Sequence, residues 1–393
     1  MRSAVQAPSL TLLMLWLATS IGFSLAAGAE PIPLPKEIDL GPGCRFSPLG
    51  DGGFVTFEPP SGKITARDEN GQVITSFTVP GAISQATVSE LAARPGFVLV
   101  VANSAPEGEV RATVLSLETH LVVGDFKPPQ WPARVFGSMS GWFFRARDPN
   151  VPTIVEVNND GRKLQSLGVP KTIADRVESE TGRRDAARLL AAAVGDGLWA
   201  VPNGMYEIWQ LKGRAQRFDV PKCMWIAGNQ LEGDVARQRA LQTLDGVSEN
   251  IRHQIETRLY SSMGTGQAFQ AFFSAIPAVA SYRDRLAVLV DALPQLSTGN
   301  GRIDVWQLPA GVLVASVPVP GELPHGLALG SRLAWVRHRR TVSPILLPEH
   351  PSASPLGCAP AKVLELARSA QTSLPQGATS QRKAPLPKKH GQS

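Results

Sequence analysis

A chain of 393 residues is long enough to bury one large core or to hold two domains. With 43% apolar and 18% charged residues, its composition excludes disorder over most of its length. The formal charge of +6 sits at the ends, on Arg2 and on Arg368, Arg382, Lys383, Lys388 and Lys389 beyond the last acid, Glu365; the near-neutral body excludes a broad basic face for nucleic acid or membranes.

The N-terminus has the three parts of an export signal. Arg2 is the positive start, Leu10 to Leu25 is mostly apolar, and Ala27-Gly28-Ala29 fits a small-residue cleavage site before Glu30. Residues 1–29 are therefore expected to be a signal peptide, with an uncleaved anchor helix as the alternative. The mature protein is expected to be periplasmic or extracellular. No later stretch is apolar for long enough to span a membrane, so no transmembrane segment is expected after signal removal.

Residues 30–36 are a Pro-rich lead. Glu37-Ile38-Asp39-Leu40 alternates polar and apolar, the period of a half-buried strand, and Gly41-Pro42-Gly43 turns the chain. A short apolar run then recurs: Phe54 to Phe57, Phe97 to Val100, Trp142 to Phe144, Leu198 to Val201, Leu286 to Leu289 and Leu333 to Val336. Small or turn-forming residues usually precede it, and further strand-like runs follow.

The third copy is the cleanest. Ala133–Gly137, Trp142–Arg147, Thr153–Asn158 and Lys163–Val169 read as four strands, with Asn159-Asp160-Gly161 as a tight hairpin turn. Most copies are about 43 to 47 residues apart, the size of one four-stranded unit. Such a sheet cannot bury its own faces, whereas a ring of them can. The expected fold is all-β, a six-bladed β-propeller over residues 30–360.

Two steps between copies are longer. Lys171 to Gly182 is polar and reads as a surface excursion, with a helical turn expected at the start of Arg183 to Ala193. Between copies four and five, Leu241, Leu244, Val247, Ile251, Ile255 and Leu259 recur at helical spacing. A helical insertion is expected over about 229–276, packed on one face of the ring. The sixth copy lacks a fourth strand after Leu347. The unused strand, Glu37 to Leu40, is expected to complete it. Residues 361–393 read as a short helix and a disordered basic tail.

The unit resembles the six-bladed propellers of the NHL-repeat, TolB-like and gluconolactonase-like superfamily. The resemblance is carried by Val194-Gly195-Asp196-Gly197-Leu198-Trp199 and Arg67-Asp68-Glu69-Asn70-Gly71, and covers roughly Cys44 to Leu347 outside the insertion. It implies the fold and a central channel. It implies no single activity, since such folds serve lyases, lactonases, scaffolds and adaptors alike.

No cofactor and no metal site are expected. The acids and amides after the second strands (Glu58, Asn103, Asp148, Asn203 and Asp291) read as turns at the far face rather than calcium ligands, and the six histidines show no metal-ligand spacing. No nucleophilic triad, phosphate loop or dinucleotide fingerprint is present. His325 enters a first strand, the innermost of a blade. Arg134 and Gln85 sit near the matching place, and Arg45 and Arg188 join them as candidates for a basic channel mouth. Such a mouth would suit a protein segment or a small anionic ligand; polar residues solvating an ordinary wet channel are the other reading. The three cysteines allow one disulfide. Ring closure would bring Cys44 and Cys358 together and leave Cys223 unpaired. The expected function is an exported, monomeric, non-catalytic binding or scaffold module. A propeller enzyme of lyase or lactonase kind is the alternative, and it requires polar side chains from at least three blades to meet in the channel.

Overall fold

The computed structural model describes residues 34–59, 61–80, 87–104, 109–130, 132–146, 153–181, 189–202, 205–213, 216–220, 224, 275–291, 301–320 and 324–348. The chain divides into two units, Met1–Pro35 and Lys36–Ser393, and the fold below belongs to the second.

Six four-stranded antiparallel sheets are present. Blade one holds β2 (Arg45–Pro48), β3 (Phe54–Glu58), β4 (Lys63–Arg67) and β5 (Val73–Thr78). Blade two holds β6 (Thr87–Arg94), β7 (Phe97–Ser104), β8 (Glu109–Ser116) and β9 (Val122–Phe126). Blade three holds β10 (Pro132–Gly137), β11 (Trp142–Ala146), β12 (Thr153–Val157) and β13 (Lys163–Gly168). Blade four holds β14 (Leu189–Val194), β15 (Gly197–Pro202), β16 (Glu207–Lys212) and β17 (Gln216–Asp219). Blade five holds β18 (Ala275–Tyr282), β19 (Arg285–Asp291), β20 (Gly301–Gln307) and β21 (Val312–Val319). Blade six combines β22 (Gly326–Leu329), β23 (Leu333–Arg337) and β24 (Thr341–Leu346) with β1 (Ile38–Asp39) from the other end of the chain.

That last pairing closes the ring as expected. Ile38 lies opposite Val342 and Asp39 opposite Thr341, and the Leu40 N–H donates to the Arg340 carbonyl at 2.6 Å. The inner strands touch in sequence, from β2 through β6, β10, β14 and β18 to β22, and β22 returns to β2.

The second strand of each blade is buried on both faces, because each face meets a different neighbour. In β7, Val98 and Val100 pack towards Val55 and Phe57 of blade one. Leu99 and Val101 pack towards Trp142 and Phe144 of blade three. In β19, Val288 and Leu286 join Trp209 of blade four, while Ala287 and Leu289 join Ala334 and Val336 of blade six. This is why the recurring runs are continuously apolar rather than alternating. The small residue before these runs also has a steric cause. A Cβ on Gly53 would lie 2.1 Å from the Arg67 carbonyl oxygen, and one on Gly141 would lie 2.0 Å from that of Val157.

Two local expectations need correction. Residues Lys171–Thr181 form a helix, α1, not a polar excursion. Ile173 and Val177, one turn apart, are fully buried against the blade-four core, while Asp175 between them is exposed. The expected helical turn at the start of 183–193 falls largely outside the described residues, and Leu189–Val194 is the inner strand of blade four. The helical insertion lies outside the described residues apart from Ala275 and Ile276, which begin β18, and the C-terminal tail lies wholly outside them. Among the described residues, no helix is long and apolar enough to cross a membrane.

Candidate functional site

Each inner strand is the end of its sheet, so one of its edges carries ladder-free N–H and C=O groups towards the axis. Together the inner strands surround a central cavity of about 780 Å³. That size suits a small molecule.

The inner strands all run the same way through the ring, so their first residues share one mouth. Blade one supplies Arg45, blade two Ser89 and Glu90, blade three Arg134, and blade six His325 and Arg337. Local backbone irregularity helps aim them. The ladder of β6 shifts register between Val88 and Glu90, and that of β10 shifts between Pro132 and Arg134. A bulge re-aims the side chain that follows it, and here the following side chains are Glu90 and Arg134.

The contacts tie the mouth together. Arg134 Nη1 lies 3.2 Å from Glu90 Oε1 across the boundary of blades two and three. Arg45 Nη2 donates to the Val88 carbonyl at 3.0 Å, across the boundary of blades one and two. The Arg337 guanidinium donates to the Cys44 carbonyl across the closure. Arg45 and Arg337 are therefore held by neutral carbonyls, and among the described residues neither has a carboxylate at ion-pair distance. The Arg337 Nε is buried with no hydrogen-bond partner there.

The electrostatics follow from this crowding. Burial holds the Glu90 carboxyl above its usual range, and Arg134 and then Arg45 pull it part of the way back. Burial lowers the Arg337 guanidinium, and the like charge of Arg45 adds to that, while Cys44 opposes it. Among the described residues at this mouth, three guanidinium groups face one carboxylate, an excess of positive charge although the body of the chain is near neutral.

Of the candidates named from the sequence, Arg45, Arg134 and His325 line this cavity. Gln85 and Arg188 lie outside the described residues. Sequence reasoning missed Glu90 and Arg337. The available signal for Arg337 was its register: it lies opposite Gly326, next to His325. The ends of the second strands were placed at a far face, and this is corrected here. An antiparallel hairpin puts them beside the inner-strand starts, as Phe57 opposite Arg45 and Asn103 opposite Thr87 show. Asp148 and Asn203 lie outside the described residues. No group of three or more possible metal ligands exists among the described residues.

Cys44 stands beside the mouth as a buried thiol with no disulfide partner among the described residues, pushed up to about 11 chiefly by burial. Cys358 and Cys223 lie outside the described residues.

Three other polar groups are structural ties between blades or onto a blade. The buried Glu156 accepts from Ser140 at 2.6 Å and from Lys212 of blade four at 3.0 Å. The nearly buried Glu207 is held by Arg176 of α1 through Nε at 3.2 Å. Glu69 of blade one accepts from the Ser331 hydroxyl of blade six at 2.8 Å. Their donors are all protein groups.

No family model matches the sequence. No curated protein matches it either. Solved structures similar to the chain include virginiamycin B lyase from Staphylococcus aureus, at 12% identity and a TM-score of 0.40, covering 80% of this chain and 99% of that one. Another is BamB from Moraxella catarrhalis, at 10% identity and a TM-score of 0.35, covering 79% and 98%. A third is the Cps50 (Swd1) β-propeller domain of Myceliophteria thermophila, at 11% identity and a TM-score of 0.39, covering 80% and 99%. The likeness is one of fold: the chain is a six-bladed β-propeller.

Proposed function

We propose that the protein is an exported, monomeric, non-catalytic binding module that takes a small anionic ligand at the channel mouth. The carrying observation is the pair Arg45 and Arg337, side by side in a cavity and held by carbonyls rather than carboxylates. An arriving carboxylate or phosphate would supply the missing countercharge and a partner for the Arg337 Nε.

Calorimetric titration with small carboxylates and inorganic phosphate tests this. Arg45→Gln is expected to weaken binding about fivefold or more, since charge-assisted hydrogen bonds contribute roughly 1.5–3 kcal/mol. Glu90→Gln is expected to strengthen it about three- to tenfold by removing the competing charge on Arg134. In the wild type, affinity should rise as pH falls through the raised Glu90 pKa, and the Glu90→Gln variant should lose that rise. Stability has a matching sign. A raised acid favours the neutral form in the fold, so the variant should equal wild type in acid and exceed it as pH rises through the Glu90 value. Binding that is indifferent to both substitutions would sink the proposal.

One observation favours the enzyme reading. Polar side chains from blades one, two, three and six do meet in the cavity, and among them Glu90 is an acid with a raised pKa, as a general base would need. Glu90→Gln separates the two readings: a binding module gains affinity, whereas an enzyme loses turnover.

The address and the disulfide belong to the same proposal. Export would place Cys44 and Cys358 in an oxidising compartment. Non-reducing peptide mapping of the mature protein should recover a Cys44–Cys358 peptide and an N-terminus at Glu30. A Cys44–Cys223 peptide would overturn the pairing, and a retained residue 1–29 segment would overturn the cleavage.

A further inference from the structure

The wall of the channel mouth has two unlike arcs. Blades six, one, two and three are consecutive and carry the charged side chains described above. Blades four and five are also consecutive, and at the same level they present Leu190, Ala191, Pro277, Ala278 and Val279. The ladders put Arg134, opposite Arg145, at the level of Leu190, opposite Val201, and of Ala278, opposite Leu289, and at that level blades one and six carry the apolar Phe46 and Leu327. Leu190 and Val279 are only partly buried, although they rest on a fully buried core, so they keep apolar surface towards the cavity. Among the described residues, the charged side chains at this mouth come from the first arc.

We infer that the channel ligand is an amphipathic carboxylate, its acid group on the arginines of blades one, three and six and its apolar body against blades four and five. This rests on the reading of the mouth as an anion site and adds the nature of the ligand. The carboxylate would accept from Arg45 and Arg337, whose forks suit two-point recognition of an acid. The hydrocarbon would cover Leu190 and Val279 and release the water on them. A fully hydrated inorganic anion would leave that arc wet, and a neutral apolar molecule would leave the guanidinium groups without a countercharge.

The test is calorimetry of the full mature chain with butyrate, hexanoate, octanoate and octanamide. At about threefold per buried methylene, octanoate is expected to bind roughly fifty- to hundredfold tighter than butyrate. Octanamide should bind at least tenfold more weakly than octanoate. Arg45→Gln should lower the affinity of every acid by a similar factor. Leu190→Gln should flatten the dependence on chain length, weakening octanoate far more than butyrate. If that variant melts early, Val279→Thr serves the same purpose. Equal affinity for butyrate and octanoate would overturn the amphipathic inference and leave the anion site standing. Octanamide binding as tightly as octanoate, or an Arg45→Gln variant that binds as wild type, would overturn both. So would the absence of binding by any of the acids.

Discussion

A chain ended at Val319 is expected to lose cooperative folding altogether. The cut removes β22, β23 and β24, the last of which is the ladder partner of β1. Blade five then exposes the face that carries Ala287, Leu289, Ile303 and Val305, all buried against blade six. Blade one exposes Phe54, which packs on Trp335 at 5.3 Å between ring centroids. Fully exposing a large apolar side chain costs about 1.5–3 kcal/mol, and a domain's whole stability is about 5–15 kcal/mol. A few such side chains on two faces are therefore enough to remove the folded state. Glu69 would also lose the Ser331 donors, at 2.8 and 2.9 Å, and the Trp335 indole N–H that reaches its carbonyl at 2.8 Å. Circular dichroism during heating gives the readout. The expected trace is broad and without a sigmoidal transition, in a protein that aggregates. A soluble truncation with a sharp melt would show that the blades do not depend on closure. Deleting residues 34–40 instead should lower the melting temperature without abolishing the transition, because β1 adds only a two-residue ladder.

The propeller was legible because its physics repeats. Burial of the second strand on two faces forces a continuous apolar run, and the close approach of Val157 to Gly141 forces a small residue before one of them. Repetition turned weak local signals into a fold, and the unfilled fourth position of blade six led to Glu37–Leu40. Features that occur once were harder to read. The α1 helix offers two large apolar residues one turn apart, Ile173 and Val177, too few to mark a helical face in a polar stretch. The site was half legible. Inner-strand starts could be found from the repeat, which gave Arg45, Arg134 and His325. Glu90 was missed because one extra residue, Ser89, bulges out of the ladder and moves Glu90 one position along its strand. Arg337 was missed because it belongs to the second strand and reaches the mouth only through pairing with Gly326.

Asp304→Ala is expected to be the most damaging single substitution of a polar residue in the ring. Asp304 lies on the third strand of blade five and is fully buried. Its carboxylate accepts from Ser316 Oγ at 2.6 Å, from Arg302 Nε at 2.9 Å and from Tyr206 Oη of blade four at 2.9 Å. Trp306 Nε1 in turn donates to the same Tyr206 oxygen at 2.9 Å, which completes a chain across the two blades. Burial first, and then the Asp304 charge, hold the Tyr206 phenol far above its ordinary range, so it stays a neutral donor. Alanine would strand the Arg302 charge, which is itself nearly buried and has one nitrogen without a partner already. Breaking a buried ion pair from one side costs about 3–5 kcal/mol, since the remaining charge is left uncompensated. At roughly 2–4 °C per kcal/mol, the melting temperature should fall by about 6–20 °C. The partner substitution separates charge from packing. Arg302→Met added to Asp304→Ala removes the stranded guanidinium and should recover part of the loss, as replacing both members of a buried pair does elsewhere. If Asp304→Ala melts within a degree of wild type, the network is not a tie between blades four and five. If the double variant is no better than the single one, the damage comes from the lost Tyr206 and Ser316 hydrogen bonds rather than from the stranded charge.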